Sequence, residues 1–422
     1  MLASLGERLV CVSSPLRWYF ASTACFLIPG GIQMVMFPWL VAVLLAETPD
    51  KVGIAQMASQ LPALLLILFG GLIGDRVDQR RILLTVHLCM ALPPLILAAI
   101  TSAGALSYPV LIIYALVGGV FGAFAQPARD ALLSRVAGDR VQHTVTLLIA
   151  MQFTVQIAGF SLGAMADVTG PVVLMLVQAV VMALGGIAVL RIKVPVQVPS
   201  QRGRSPLHEI AEGIQLVVQS RSILPAILCT FTVGIFFAGT FMVLLPLMVR
   251  DVYGGGAGQI SLAFTANMAA TVVVTIWLIR RGGIQRQGRA LLIGAAAGVV
   301  FLLPLHFAIP MWGFYLTIFG WGLGGGLVLS MSRTIVQEAA PASHRARIMS
   351  VFSLGMMGGM PIGSFAMGHA INAFGPLNAA LIPVVGMAVV LTVIVLATDM
   401  WQVAAPRSED SLEGGDFDQQ SA

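Results

Sequence analysis

Nine stretches of this chain carry no Asp, Glu, Lys or Arg and are long enough to cross a bilayer: 18–46, 52–74, 82–128, 141–166, 168–190, 222–249, 252–279, 290–332 and 348–398. A helix needs about 20 apolar residues to span the hydrocarbon. A charge at mid-membrane costs about 2.5–3.5 kcal/mol on insertion scales. Six of the stretches hold one helix each. The other three run to 47, 43 and 51 residues, room for two helices and a turn. Turn residues lie mid-run in each: Thr101-Ser102-Ala103-Gly104, the region from Pro304 to Pro310, and Gly375-Pro376. The expected fold is all-α, with twelve transmembrane helices in two pseudo-symmetric six-helix bundles.

Composition agrees. Only 10% of the 422 residues are charged and 58% are hydrophobic, against about 25% charged in a soluble domain. That excludes a soluble enzyme, a disordered protein and a nucleic-acid binder. The net charge of +5 is therefore read by position. Of 23 Lys and Arg, only Lys51 and Arg250 fall on the face opposite the termini. The excess of basic residues marks the cytoplasmic side, so both termini are expected in the cytoplasm. An even number of helices requires the same sidedness.

The chain repeats itself. Met34-Val35-Met36-Phe37-Pro38-Trp39-Leu40-Val41 resembles Met242-Val243-Leu244-Leu245-Pro246-Leu247-Met248-Val249, 208 residues on. Gly159-x-x-x-Gly163 has a counterpart in Gly359-x-x-x-Gly363, and small residues at this spacing let membrane helices approach closely. The expected organisation is a cytoplasmic N-terminus 1–17, a first bundle 18–192, a linker 193–221 with a surface helix, a second bundle 222–399 and a disordered acidic tail 400–422. Six plus six helices with a cytoplasmic linker is a transporter layout, with its site near the midplane between the halves.

No enzyme chemistry is expected. Gly159-Phe160-Ser161-Leu162-Gly163 matches the hydrolase elbow in letters, but that motif needs a strand–turn–helix setting and His and Asp partners. Gly254-Gly255-Gly256-Ala257-Gly258 lacks the Lys-Ser/Thr of a phosphate loop and reads as a hinge between helices 7 and 8. Cys11, Cys25, Cys89 and Cys229 are scattered, so no metal and no cofactor are expected.

The loop after helix 2 reads Gly70-Gly71-Leu72-Ile73-Gly74-Asp75-Arg76-Val77-Asp78-Gln79-Arg80-Arg81. It resembles the signature of the major facilitator superfamily, G-x-x-x-D-R-x-G-R-[RK]. Gly71, Asp75, Arg76 and Arg80 match. Asp78 stands where the family has glycine, and Gln79 replaces a basic residue. The resemblance implies a cytoplasmic gate latch, with Asp75 facing a helix N-terminus or an arginine and Arg129 as its partner. Gln33 to Leu40, Gln126-Pro127-Ala128-Arg129, Glu212-Gly213-Ile214 and Arg345-Ala346-Arg347-Ile348-Met349-Ser350 resemble the branch that holds the enterobactin exporter and bacterial macrolide-efflux proteins.

That branch implies export of a small amphipathic molecule, a siderophore or a drug-like compound, by alternating access across a bacterial inner membrane. It also implies coupling to H+ and a protein working as a monomer. The residues themselves supply no proton relay. No Asp or Glu lies deep in a span, where an ionisable group is the usual pointer. Many drug–proton antiporters have an arginine within helix 4, and Tyr114 to Phe121 has none. His306 and His369 sit near outer helix ends.

If the family packing holds, helices 1, 4, 7 and 10 line the cavity. The polar candidates are Gln33, Gln152, Gln156, Thr240 and Asn267. The aromatic candidates are Phe37, Tyr114, Phe236, Phe237 and Trp321, with Met357 as an adaptable wall. A lysophospholipid or lipid flippase, an importer of the same fold and a non-transporting scaffold remain as other readings.

Overall fold

The computed structural model describes residues 14–137, 141–193, 206–341 and 344–404. Each of the twelve expected segments is helical. They are α1 (Ser14–Trp39, continued by a π-turn, Leu40–Leu44), α2 (Pro49–Arg76), α3 (Gln79–Ser102), α4 (Tyr108–Ala137), α5 (Val141–Gly163) and α6 (Pro171–Arg191). The second set is α7 (Ile223–Asp251), α8 (Ala257–Arg281), α9 (Gln287–Leu302), α10 (Met311–Ala339), α11 (from Arg345 to Gly375) and α12 (Leu381–Ala397).

The three expected mid-run turns are present. Gly104 has φ 69°, Ala308 has φ 49° and Gly375 has φ 75°. Gly170 (φ 77°, ψ 158°) precedes Pro171, just as Gly375 (φ 75°, ψ 163°) precedes Pro376. Glycine carries the left-handed turn without a Cβ clash, and the proline then starts the next helix with its missing N–H at no cost. This Gly-Pro pair is a repeat signal that the sequence comparison of the halves passed over.

Proline accompanies two of the irregular turns. Pro38 in α1 and its counterpart Pro246 in α7 have no N–H to give the carbonyl four residues back. Wider π-turns sit next to both, at Leu40–Leu44 and Thr240–Leu244, and such bulges favour functional sites.

By contact the chain forms two compact units whose borders depart from the sequence halves. The first holds 1–203, 239–265 and 364–376, and the second holds 204–238, 266–363 and 377–422. In the first, α1 packs on α5 and α6, α2 on α4, and α3 on α4 and α6. Its end nearest the termini is an apolar cluster that includes Tyr19, Leu83, Leu132, Leu148 and Ile192. In the second, α9 packs on α10 and α12. Lipid is as apolar as leucine, so these helices associate by close packing.

The linker forms a helix, Pro206–Gln219. Glu212 pairs with Arg347 at 2.6 Å and lies 3.4 Å from His344, at the start of α11. The expected tail begins later than residue 400. A 3-10 turn at Asp399–Gln402 is held on α9, where Gly288 N donates to Val403 O at 3.0 Å and Arg289 Nε donates to Trp401 O at 3.2 Å. The rest of the tail, the expected N-terminus up to residue 13 and linker residues 194–205 lie outside the described residues.

Candidate functional site

The site builds from α1 and α4 of the first unit. Helical spacing puts Gln33 and Phe37 one turn apart on one face of α1. Tyr114 of α4 donates its hydroxyl to Gln33 Oε1 at 2.8 Å, and its ring lies 6.4 Å from that of Phe37. A third group joins them that sequence reasoning missed. Gln178 of α6 is 2% exposed, and its Oε1 lies 3.4 Å from the Tyr114 oxygen. Gln178 Nε2 has no partner among the described residues. A glutamine in an otherwise apolar run was the available signal.

Gln156 of α5 sends its Nε2 to within 3.2 Å of Met34 Sδ. Gln152 lies one turn below it, half-buried. Thr240 is fully buried in the first unit. On the α3 side of Tyr114, a groove of about 360 Å³ runs between α3 and α4, lined by Cys89, Leu92, Ile96, Ile113, Tyr114 and Phe121 among others.

In the second unit, Phe237 and Trp321 meet edge to face with centroids 5.6 Å apart, both nearly buried. The geometry is that of a favourable aromatic pair. Gly298 makes room for it, because a Cβ there would lie 2.8 Å from the Phe237 ring. Asn267 donates to Ile318 O at 3.3 Å. Phe236 turns to Gly386 on α12, away from this pair. Met357 is half-buried on α11.

The helix-packing glycines sit at backbone approaches in their own units. A Cβ on Gly159 would lie 2.8 Å from Gly31 Cα, and one on Gly163 would lie 2.9 Å from Val35 Cβ. On α11, a Cβ on Gly359 would collide with Phe231 O, and one on Gly363 with Ile235 O.

Of the loop signature, the side chains of Gly71, Asp75 and Arg76 lie outside the described residues. Its two departures have a physical account. Asp78 is the N-cap of α3, accepting from Arg80 N at 2.9 Å, the role for which aspartate is favoured. Gln79 Oε1 accepts from Arg135 Nη1 of α4 at 2.6 Å, and the same nitrogen lies 4.0 Å from Asp78. Arg80 Nη2 reaches Leu190 O at 3.4 Å.

Arg129 is 7% exposed. Its Nη2 donates to Gln126 Oε1 at 2.5 Å, its guanidinium lies 4.2 Å from the Phe26 ring centre, and Nη1 has no partner among the described residues. Nearby, His87 of α3 is 1% exposed, with Nε2 3.0 Å from Ser22 Oγ and Nδ1 3.2 Å from Met182 Sδ. This buried histidine was also missed, since its partners come from two helices, α1 and α6, far from it in sequence.

No group of three metal-ligating side chains occurs among the described residues. Among the described residues, span-length apolar helices carry polar and aromatic groups that face one another within each unit. The family model of the Major Facilitator Superfamily matches residues 19–364, and the chain belongs to that family, whose members are transporters and not enzymes. It is a multi-pass membrane protein with the twelve-helix, two-bundle fold.

Its relatives include the staphyloferrin A transporter of Staphylococcus aureus, 24% identical over 375 residues, covering 85% of this chain and 90% of that protein. The multidrug resistance protein MdtH of Edwardsiella ictaluri is 25% identical over 364 residues, covering 83% and 85%. Among solved structures, the nucleoside transporter NupG superposes with a TM-score of 0.72 at 12% identity, over 93% of this chain and all of that one. This likeness concerns the fold alone.

Proposed function

We propose that this transporter exports a small amphipathic molecule, a siderophore or drug-like compound, by alternating access and in exchange for protons. The carrying observation is the Tyr114–Gln33 hydrogen bond beside Phe37. It is a polar and aromatic group set in helices that are otherwise apolar, the mixture that small-molecule sites use. The named activities of the two relatives, a siderophore carrier and a multidrug resistance protein, support the cargo class. The excess of basic residues on the side of the termini supports termini in the cytoplasm of a bacterium's inner membrane.

The buried Arg129, with one nitrogen unpartnered among the described residues, supports a gate in which Asp75 completes its charge pairing. Gly71 and Arg76, in the last turns of α2, and Arg80, in the first turn of α3, are the other members of that gate motif. Gln152, Gln156, Thr240, Asn267, Phe237, Trp321 and Met357 are the further cavity candidates.

The test uses everted vesicles with an acid interior and a pH-reporting dye. Catecholate siderophores and hydrophobic drugs are added in turn. Substrate-triggered proton leak that is lost in Asp75→Asn supports coupled export. No response to any compound, with folded protein present, sinks it.

The lipid-facing groove between α3 and α4 favours a second reading, transport of a lysophospholipid whose acyl chain lies in that groove. Labelled lysolipid moved by the protein, with no drug response, would select it.

A further inference from the structure

The compact first unit contains segments from both sequence halves, at the end opposite the termini. The outer part of α7, the first turns of α8 and the last turns of α11 pack there with α1, α2 and α5. Phe264 of α8 stacks on Phe241 of α7 at 4.2 Å and meets Phe160 of α5 edge-on at 5.8 Å. Ser261 of α8 is 4% exposed and donates to Phe160 O at 2.7 Å.

Two charged side chains close this end in the same way, each on a helix terminus from the other half of the sequence. Arg250, at the end of α7, donates through Nη1 to Ala42 O at 2.8 Å and to Glu47 O at 2.9 Å. The first carbonyl lies in the last turn of α1, where such groups lack partners within the helix, and the second in the connection that follows it. The opposite edge of the guanidinium is fixed by Asp251, at 2.5 and 3.0 Å. Asp167, between α5 and α6, accepts from Trp39 Nε1 of α1 at 2.8 Å and from Gly258 N at 3.2 Å. Gly258 lies in the first turn of α8, and a carboxylate there suits the helix dipole. A Cβ on Gly256 would lie 2.5 Å from Asp167 Oδ2.

We propose that Arg250 and Asp167 form the latch of the gate on the face opposite the termini: Arg250 holds the carbonyl end of α1, Asp167 holds the amide end of α8, and both bonds break in each transport cycle. The latch is asymmetric. Arg250 and Ala42 are repeat counterparts 208 residues apart, so no second arginine reciprocates. Counting back three residues from the left-handed Gly170 gives Asp167, but from Gly375 it gives the neutral Asn372. The proposal rests on the alternating-access reading and not on the identity of any cargo.

The test places a reporter thiol, Ser261→Cys, in a chain whose four native cysteines are replaced by alanine. Labelling by a membrane-impermeant maleimide is timed in intact cells and in everted vesicles. Arg250→Ala should raise the labelling rate on the order of tenfold, as charged hydrogen bonds are lost. Asp167→Asn should raise it about threefold, since that carboxylate is exposed and the dipole contribution modest. Gly256→Ala should act like Asp167→Asn, because it displaces the carboxylate without altering charge. It also covers the case in which Arg250→Ala fails to fold.

Rates equal to the parent in all folded variants would overturn the latch. Faster labelling seen only in everted vesicles would uphold it while placing this face in the cytoplasm, against the proposed orientation. Because no substrate is added, failure to find a cargo does not affect the result.

Discussion

Three glycine pairs at the same spacing should respond unequally to alanine. On α11, a Cβ at Gly363 falls inside contact distance of the Ile235 carbonyl oxygen, a backbone atom that cannot rotate away. On α5, a Cβ at Gly163 would lie 2.9 Å from Val35 Cβ. On α4, Gly118 and Gly122 repeat the spacing, yet nothing lies within 4 Å of a Cβ at either, among the described residues. Gly363→Ala must push α7 and α11 apart by about 1.5 Å or more, because carbon contacts are comfortable at about 3.5–4.0 Å. Such overpacking costs about 1–3 kcal/mol.

Each kcal/mol shifts Tm by about 2–4 °C for a unit of about 150–250 residues. Gly363→Ala should therefore lower the apparent Tm in detergent by about 2–12 °C. Gly163→Ala needs a smaller adjustment and should cost less. Gly122→Ala should be neutral or raise Tm slightly, since alanine is a better helix former than glycine by about 0.5–1 kcal/mol. The assay is size-exclusion fluorescence after heating the purified protein at a fixed scan rate. Equal shifts for Gly363→Ala and Gly122→Ala would refute the argument that backbone approach decides the outcome.

Tyr114→Phe should keep expression and folding while raising the KM for the cargo by about three- to tenfold, the value of one hydrogen bond; an unchanged KM would remove Tyr114 from the site. Arg129→Met should leave Tm within a few degrees and lower flux without abolishing it, and Asp75→Asn combined with it should lower flux no further if the two act as a pair; an additive fall would separate them. Glu212→Ala should cost at most about 1 kcal/mol, because its ion pairs are part-exposed, yet it should speed proteolysis of the linker; an unchanged cleavage rate would show that the pairs do not hold the linker helix.

Asp50, at the first turn of α2, has its carboxyl held below the usual range, chiefly by the Thr48 hydroxyl, with His369 a smaller contributor. A depressed carboxylate contributes stability above its unfolded value, which is lost as pH falls through the folded value. Thr48→Ala should therefore start from a slightly lower Tm at neutral pH and lose less of it on acidification than the parent; curves with equal acid losses would reject that role.

The loop signature shows how far residues alone could go. Its spacing pointed to the family, and Arg129, named there as the gate partner of Asp75, is a buried cation. Asp78 and Gln79 looked like lapses from the motif. Their meaning, a cap on α3 and a bond to Arg135, appears only when α4 lies alongside. Among the cavity candidates, Gln33, Phe37 and Tyr114 converge, whereas Phe236 and Phe237, adjacent in sequence, face different neighbours. One residue of a helix turns the side chain by about 100°, so a list of polar and aromatic residues cannot say which of them meet.

The sequence by itself determined the number of spans and the places of their turns. Bilayer thickness and the cost of buried charge act on each segment independently, and both can be counted along the chain. Tertiary structure decided what depends on which helix lies beside which. That includes the placing of Gln178 and His87 among partners from distant helices, and the difference between packed and open glycine pairs. It also turned Lys51 and Arg250, the two basic residues on the face opposite the termini, into different things. Lys51 is paired with Glu47, four residues before it in the chain, whereas Arg250 caps a helix 208 residues away. Hydrogen bonds and contacts of a few ångströms are made between surfaces, and surfaces exist only once the helices have packed.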